Sequence, residues 1–279
     1  MLNECTICNF KSEISSNEKV SKKCTNCKAL LNLNVKKYDY FNEGGQDIPN
    51  ILKKKARIKN SDQRFKIIKN IINFPDIFLD IGSGSGEMLE VSKKYFKTHI
   101  GYEHDPKLCD DSKLNGLNVM NRNFDKKDLE FLDNLNKYSG VLISFCHVIE
   151  HSTNPLELIN SIIKHINIDK IIYIEVPLYT GFDFKNNKFK SKLWYDQHFA
   201  LYHIDTLKYI ARKLNFDVLD TGYRTFFSDK FHKKNLIKAY FANPFLSILN
   251  IIKNCKKLTI ADNLLQNYGY IILKKNRYD

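Results

Sequence analysis

The stretch Phe78-Leu-Asp-Ile-Gly-Ser-Gly-Ser-Gly-Glu-Met-Leu89 decides the fold: an apolar run enters GSGSG and continues into residues at helical spacing. Glycines at 82, 84 and 86 permit a sharp turn and let a ligand approach the backbone closely. The spacing is G-x-G-x-G instead of G-x-G-x-x-G, and no Lys-Ser/Thr pair follows, so this is not a phosphate-binding P-loop. Asp80 stands two positions before the first glycine.

On both sides of this turn, strand and helix patterns alternate. Strands are predicted at 76–81, 98–103, 117–120, 140–146, 170–176, 217–222 and 269–273, and helices at 58–72, 87–96, 156–166 and 205–214. Gly140 to Cys146 and Lys170 to Val176 are nearly continuous apolar runs, as in parallel strands buried on both faces. The expected fold class is α/β, a mostly parallel sheet with helices on both faces.

The turn, FLDIGSGSG, resembles the first motif, hhDhGxGxG, of the S-adenosylmethionine-dependent methyltransferases, whose Rossmann-like sheet has seven strands. That resemblance implies cofactor contacts at Asp80, Gly82, Ser83, Gly84 and Gly86. It also implies an acid at the end of the next strand to accept the ribose hydroxyls; Glu103 occupies that place, followed by His104.

Leu142-Ile-Ser-Phe-Cys-His-Val-Ile-Glu-His-Ser-Thr-Asn-Pro155 is similar to the HVLEH-x-x-(D/N)-P segment of methyltransferases acting on small molecules and sugars. The similarity implies Phe145, Cys146 and His147 beside the cofactor, and Glu150 and His151 near the reaction centre. The alternative for the last two is a helix-capping or strand-end hydrogen-bonded pair. Trp194 to Leu207 resembles a third segment of the group, in which a His projects over the substrate pocket; His198 matches it. The catalytic candidates are therefore His198, His147, Glu150 and His151, with His198 or His147 as the base. Sugar carbon methyltransferases tend to show Tyr-His-Glu-His where this chain has Tyr195-Asp-Gln-His198, which points to oxygen methylation.

Residues 1–40 follow a different pattern. Cys5-Thr-Ile-Cys8 and Cys24-Thr-Asn-Cys27 are two CxxC knuckles, the spacing of a zinc ribbon, and they are read as four ligands to one structural Zn2+ with no open coordination position. A redox reading would explain one pair only. Residues 41–57 read as a linker into a methyltransferase domain over 41–279, and 225–267 as a helical insertion, either packed on the sheet edge or serving as a cap over the cleft.

The 279 residues leave room for one full domain and a small appendage. The net charge of +13 is the balance of 44 basic and 31 acidic residues, and only six of the basic ones are Arg, with no cluster among them, which argues against a nucleic-acid partner. RNA and DNA amine methyltransferases usually carry (N/D/S)PPY where this chain has CHVIEH. With no run near the roughly 18 apolar residues of a membrane span and no leader pattern, a cytoplasmic protein is expected. The expected acceptor is a nucleotide-linked sugar or polysaccharide precursor, methylated on a hydroxyl or phosphoryl oxygen. The rivals are a quinone or lipid precursor and, further off, RNA.

Overall fold

The computed structural model describes residues 2–13, 21–33, 51–121, 138–180, 198–224 and 267–275. The cysteine-rich segment folds as two hairpins, β1 (Leu2–Glu4) with β2 (Lys11–Glu13), and β3 (Ser21–Lys23) with β4 (Leu30–Asn32). Then follow α1 (Ile51–Lys69), β5 (Ile77–Ile81), α2 (Glu87–Ser92), β6 (Thr98–Glu103), α3 (Pro106–Leu114), β7 (Val119–Asn121) and β8 (Gly140–Cys146). A single 3-10 turn at Ile149–His151 leads to α4 (Pro155–Ile163), β9 (Asp169–Pro177), β10 (Ala200–Leu201), α5 (Ile204–Leu214), β11 (Asp217–Arg224) and β12 (Tyr268–Lys275).

Seven strands form one sheet in the order β11-β12-β9-β8-β5-β6-β7. The pairings from β9 through β8, β5 and β6 to β7 are all parallel, while β12 runs antiparallel to both of its neighbours. Side-chain alternation divides β5 between two cores. Ile77, Leu79 and Ile81 join the apolar cluster that includes Ile159 and Ile162 of α4 and Leu207 and Ile210 of α5. Phe78 points the other way, into Phe65 and Ile68 of α1, Met88 and Leu89 of α2 and Cys109 of α3. On that face Phe65 meets Phe78 edge-on at 5.2 Å, and Phe78 lies 5.2 Å from Phe96. The expected α/β class with a seven-stranded, mostly parallel sheet and helices on both faces is what the chain forms.

The local chemistry explains the helix boundaries. Asp105 caps α3 through Lys107 N and Leu108 N with Pro106 in the first turn, and Asn154 caps α4 in the same way ahead of Pro155. His203 and Thr206 exchange hydrogen bonds across the start of α5, which ends on Asn215 at φ +57°.

Two expectations need correction. Residues 51–57 are not linker: α1 begins at Ile51, and Lys54 and Arg57 reach Asp111 and Glu87 across the first helix turns. Lys, Ala and Arg are strong helix formers, so the absence of an apolar stripe there did not mean absence of helix. The helix after the glycine turn stops at Ser92 instead of Phe96.

The cysteine-rich module is also stitched to the rest. Its β4 pairs antiparallel with β10, Leu31 opposite Ala200 and Leu30 opposite Leu201. Residues 41–50 of the expected linker, the Trp194 to Gln197 string and 225–266 of the insertion lie outside the described residues. Among the described residues no helix is long and apolar enough to cross a membrane.

Candidate functional site

The GSGSG turn holds all three of its glycines at positive φ: Gly82 at +69°, Gly84 at +55° and Gly86 at +79°. Their surroundings differ. A Cβ on Gly82 would sit 2.6 Å from Val148 Cγ2, and one on Gly86 would sit 2.3 Å from Leu117 Cδ1. At Gly84 a Cβ would meet nothing within 4 Å. The outer glycines therefore serve packing, and the middle one borders open space where the carboxyl ends of β5 and β6 meet.

Two buried carboxylates flank the turn. Glu103, the last residue of β6 and buried, accepts from Gly84 N at 2.8 Å and from Asp105 N at 2.9 Å. Its Oε1 lies 3.3 Å from His104 Nδ1. Asp80 on β5 is buried and takes the Ser144 hydroxyl at 2.5 Å. Burial pushes the Asp80 carboxyl up to about 7, opposed by the Ser144 hydrogen bond and Arg64, with Glu103 and Glu87 adding to the rise. The hydroxyl oxygens of Ser83 and Ser85 are buried with no hydrogen-bond partner.

The Gly82 contact joins this turn to the second segment, 147–151. Phe145 is wholly buried at the end of β8, and Cys146 Sγ lies 3.4 Å from Met88 Sδ. His147 has φ +58°, which turns the chain out of the strand, and its amide donates to Glu175 O at 2.9 Å. The imidazole bridges two carboxylates, Nδ1 to Glu150 Oε1 at 3.3 Å and Nε2 to Glu175 Oε1 at 3.4 Å. Burial works against its charge, but the two carboxylates outweigh it and raise the His147 pKa. The His151 ring centroid lies 4.7 Å from that of His198 at an interplanar angle of 65°, and both histidines have a ring nitrogen within 4.8 Å of a Glu150 carboxylate oxygen. Burial brings His198 down to about 4 against the pull of Glu150. His198, His151, His147 and Glu150 therefore form one group.

Glu175, which the sequence reading missed, is the centre of a buried cluster. It is fully buried and accepts from Arg64 Nη2 at 2.6 Å and from the Tyr173 hydroxyl at 2.6 Å, with Arg224 Nε at 3.3 Å. Despite burial, the two guanidinium groups hold its carboxyl well below the usual range. Arg224 also donates to Asn60 O at 3.2 Å, so α1, β9 and β11 meet at this carboxylate.

In the N-terminal module, Cys5 and Cys27 Sγ lie 3.6 Å apart, as do Cys8 and Cys24 Sγ. Four sulfurs at about 2.3 Å from a central ion would stand about 3.8 Å from one another. Each knuckle is closed by backbone bonds, Asn9 N to Cys5 O at 2.8 Å and Lys28 N to Cys24 O at 3.0 Å, with Asn9 and Lys28 at positive φ. The Cys5 thiol is drawn down to about 5, chiefly by its hydrogen bond from Cys27, and burial pushes Cys8 up to about 11. Thiols this close cannot all ionise without a cation, and the cluster is compatible with a zinc ribbon. It adjoins the site: Asn32 Nδ2 donates to His198 O at 3.0 Å, and the Tyr179 hydroxyl donates to Lys28 O at 2.9 Å.

The sequence profile of a family described as "methyltransferase domain" matches residues 50–221. No curated protein matches. Among solved structures, the chain is similar to a SAM-dependent methyltransferase from Archaeoglobus fulgidus, with 23% identity, 78% of this chain and 94% of that one covered, and a TM-score of 0.47. A possible histamine N-methyltransferase from Thermotoga maritima shares 12% identity over 79% of this chain and 91% of its own, with a TM-score of 0.48. The plantazolicin methyltransferase BpumL in complex with SAH shares 17% over 80% and 85%, with a TM-score of 0.47.

Proposed function

The chain belongs to the methyltransferase-domain family, and from that premise we propose that it transfers the methyl group of S-adenosylmethionine to an oxygen of a small, nucleotide-linked sugar or related polysaccharide precursor. One observation carries the cofactor and its place. Of the three left-handed glycines in the GSGSG turn, Gly84 is the one that opens onto empty space, between Glu103 and the 147–151 segment that touches Gly82.

The residues fit that cofactor. Glu103 has lone pairs beyond the two amide bonds it accepts, enough to take the ribose hydroxyls as donors. Asp80, buried and reluctant to ionise, is stabilised as a carboxylate by a cation, and the methionine ammonium supplies one. Gly82, Ser83, Gly84 and Gly86 form the backbone cradle, His104 flanks the ribose acid, and Phe145 and Cys146 border the adenine and methionine moieties. Cys5, Cys8, Cys24 and Cys27 hold a structural Zn2+, and the ribbon occupies residues 1–40 beside the 41–279 domain.

The reaction is an in-line displacement. The acceptor oxygen attacks the sulfonium methyl, the carbon–sulfur bond breaks, and its electron pair stays on sulfur. Positioning supplies most of the rate, and the group His147, Glu150, His151 and His198 faces the acceptor, with His198 placed to assist loss of the hydroxyl proton. His147, held between two carboxylates, orients Glu150. The similarity of the 142–155 and 194–207 segments to sugar-directed methyltransferases supports the acceptor class, as does the +13 charge, which attracts anionic precursors.

The test is mass spectrometry of the purified protein incubated with S-adenosylmethionine and a panel of nucleotide-linked sugars. One sugar should gain the mass of a methylene. Methylation of none of them, with methylation of a quinone precursor or of RNA instead, would overturn the acceptor assignment.

A further inference from the structure

We propose that Glu150, His151 and His198 bind a divalent first-row transition-metal ion, separate from the ribbon's metal, that holds and acidifies the acceptor hydroxyl. This rests on the methyltransferase reading of the site. One ligand atom from each residue falls within 4.8 Å of the others, close enough for a single ion to reach all three. Two imidazoles and one carboxylate suit such ions and leave coordination positions open, unlike the closed all-thiolate cluster.

A second observation points to the same ion. Glu150 is 1% exposed, and its Oε2 accepts no hydrogen bond. A buried carboxylate oxygen without a donor is costly, and either a proton or a cation must satisfy it. Oε1 faces His147 Nδ1 at 3.3 Å, so His147 orients the carboxylate and leaves Oε2 for the ion. Such outer partners are what align metal ligands.

The three ligands are also fixed from behind. His151 N donates to Val148 O at 3.0 Å, Phe199 N to Glu150 O at 2.9 Å, and Asn32 Nδ2 to His198 O at 3.0 Å. The backbone on both sides of the cluster is therefore tied together before any ligand arrives. With the ion bound, an acceptor hydroxyl coordinating through oxygen loses its proton to solvent. The oxygen then attacks the methyl carbon, and the carbon–sulfur pair stays on sulfur. No oxidant or reductant is involved, and His198 serves as ligand instead of proton acceptor.

Cobalt distinguishes the two metal sites in the full-length protein. Metal-free protein titrated with Co2+ should take up one equivalent with the thiolate-to-cobalt charge-transfer band of the cysteine cluster. A second equivalent should show ligand-field bands without that charge transfer. His151→Ala, His198→Ala and Glu150→Gln should each lose the second equivalent while keeping the first. Retained binding of S-adenosylhomocysteine by these variants would show that they are folded. Uptake of the thiolate-type equivalent alone, or a second equivalent indifferent to all three substitutions, overturns the metal site and leaves His198 as the base. Failure of the parent protein to bind S-adenosylhomocysteine would instead overturn the methyltransferase reading of the site.

Discussion

The side-chain amide of Asn32, in the last strand of the cysteine-rich module, is hydrogen-bonded to the backbone carbonyl of His198 at 3.0 Å. Two residues on, Ala200 pairs with Leu31 in the same small sheet. The cysteine-rich module therefore supports the segment that carries a catalytic candidate, and its influence should be felt at the acceptor side of the cleft and not at the glycine turn.

Asn32→Ala should accordingly lower turnover by roughly two- to tenfold, the worth of a hydrogen bond of about 0.5–1.5 kcal/mol. The affinity for S-adenosylhomocysteine should stay within twofold of the parent. Steady-state kinetics paired with calorimetry separates the two, and equal losses in both would show that the module acts on the whole fold. If Cys5, Cys8, Cys24 and Cys27 hold Zn2+, its chelation should produce the same pattern in stronger form.

Glu103→Ala should weaken binding of S-adenosylhomocysteine at least about tenfold, about 1.4 kcal/mol. It removes the ribose acceptor and frees Gly84 N and Asp105 N. Gly84→Val places a β-branched side chain at φ +55° and fills the opening, so it should abolish binding. Parental affinity in Glu103→Ala would show that the ribose lies elsewhere.

Asp80 gives a pH dependence with a definite sign. Its folded pKa, about 7, lies above the ordinary 3.8, so the folded chain holds a proton that the unfolded chain has released. The stabilisation from this group is fully present below pH 4 and is lost as pH rises to 7, with a ceiling of about 4 kcal/mol. Asp80→Asn cannot ionise, so the parent's melting temperature should fall relative to the variant's between pH 4 and 7. Parallel curves would contradict the assignment.

Glu175→Gln should destabilise the protein by about 3–5 kcal/mol in denaturant melts, because it removes the buried carboxylate that Arg64 and Arg224 share. A loss below 1 kcal/mol would mean that water enters the cluster.

How much of this was legible in the sequence depends on how local the signal is. The glycine turn could be read because left-handed backbone at consecutive short intervals demands glycine there, and the flanking apolar run fixed the strand register around it. The helix at Pro106–Leu114 has a local signal in Asp105-Pro106, a capping residue followed by proline, but no apolar periodicity strong enough to mark its length. The cluster of Arg64, Glu175 and Arg224 had no signal, since only the sheet order brings α1, β9 and β11 together. The two-residue strand Ala200–Leu201 was equally silent, as its partner lies in a separate module. His198 was found by resemblance, but its proximity to His151 and Glu150 came only with the fold.

The most direct measurement is methyl transfer from isotope-labelled S-adenosylmethionine to nucleotide-linked sugars by the parent and by His198→Ala, with S-adenosylhomocysteine affinity measured on both. The parent should transfer label. The variant should lose roughly 100-fold to 10,000-fold in turnover, the range for a side chain that assists loss of the acceptor proton, while its cofactor affinity is unchanged. Near-parental turnover in His198→Ala, or a parent that does not bind S-adenosylhomocysteine, would contradict the account.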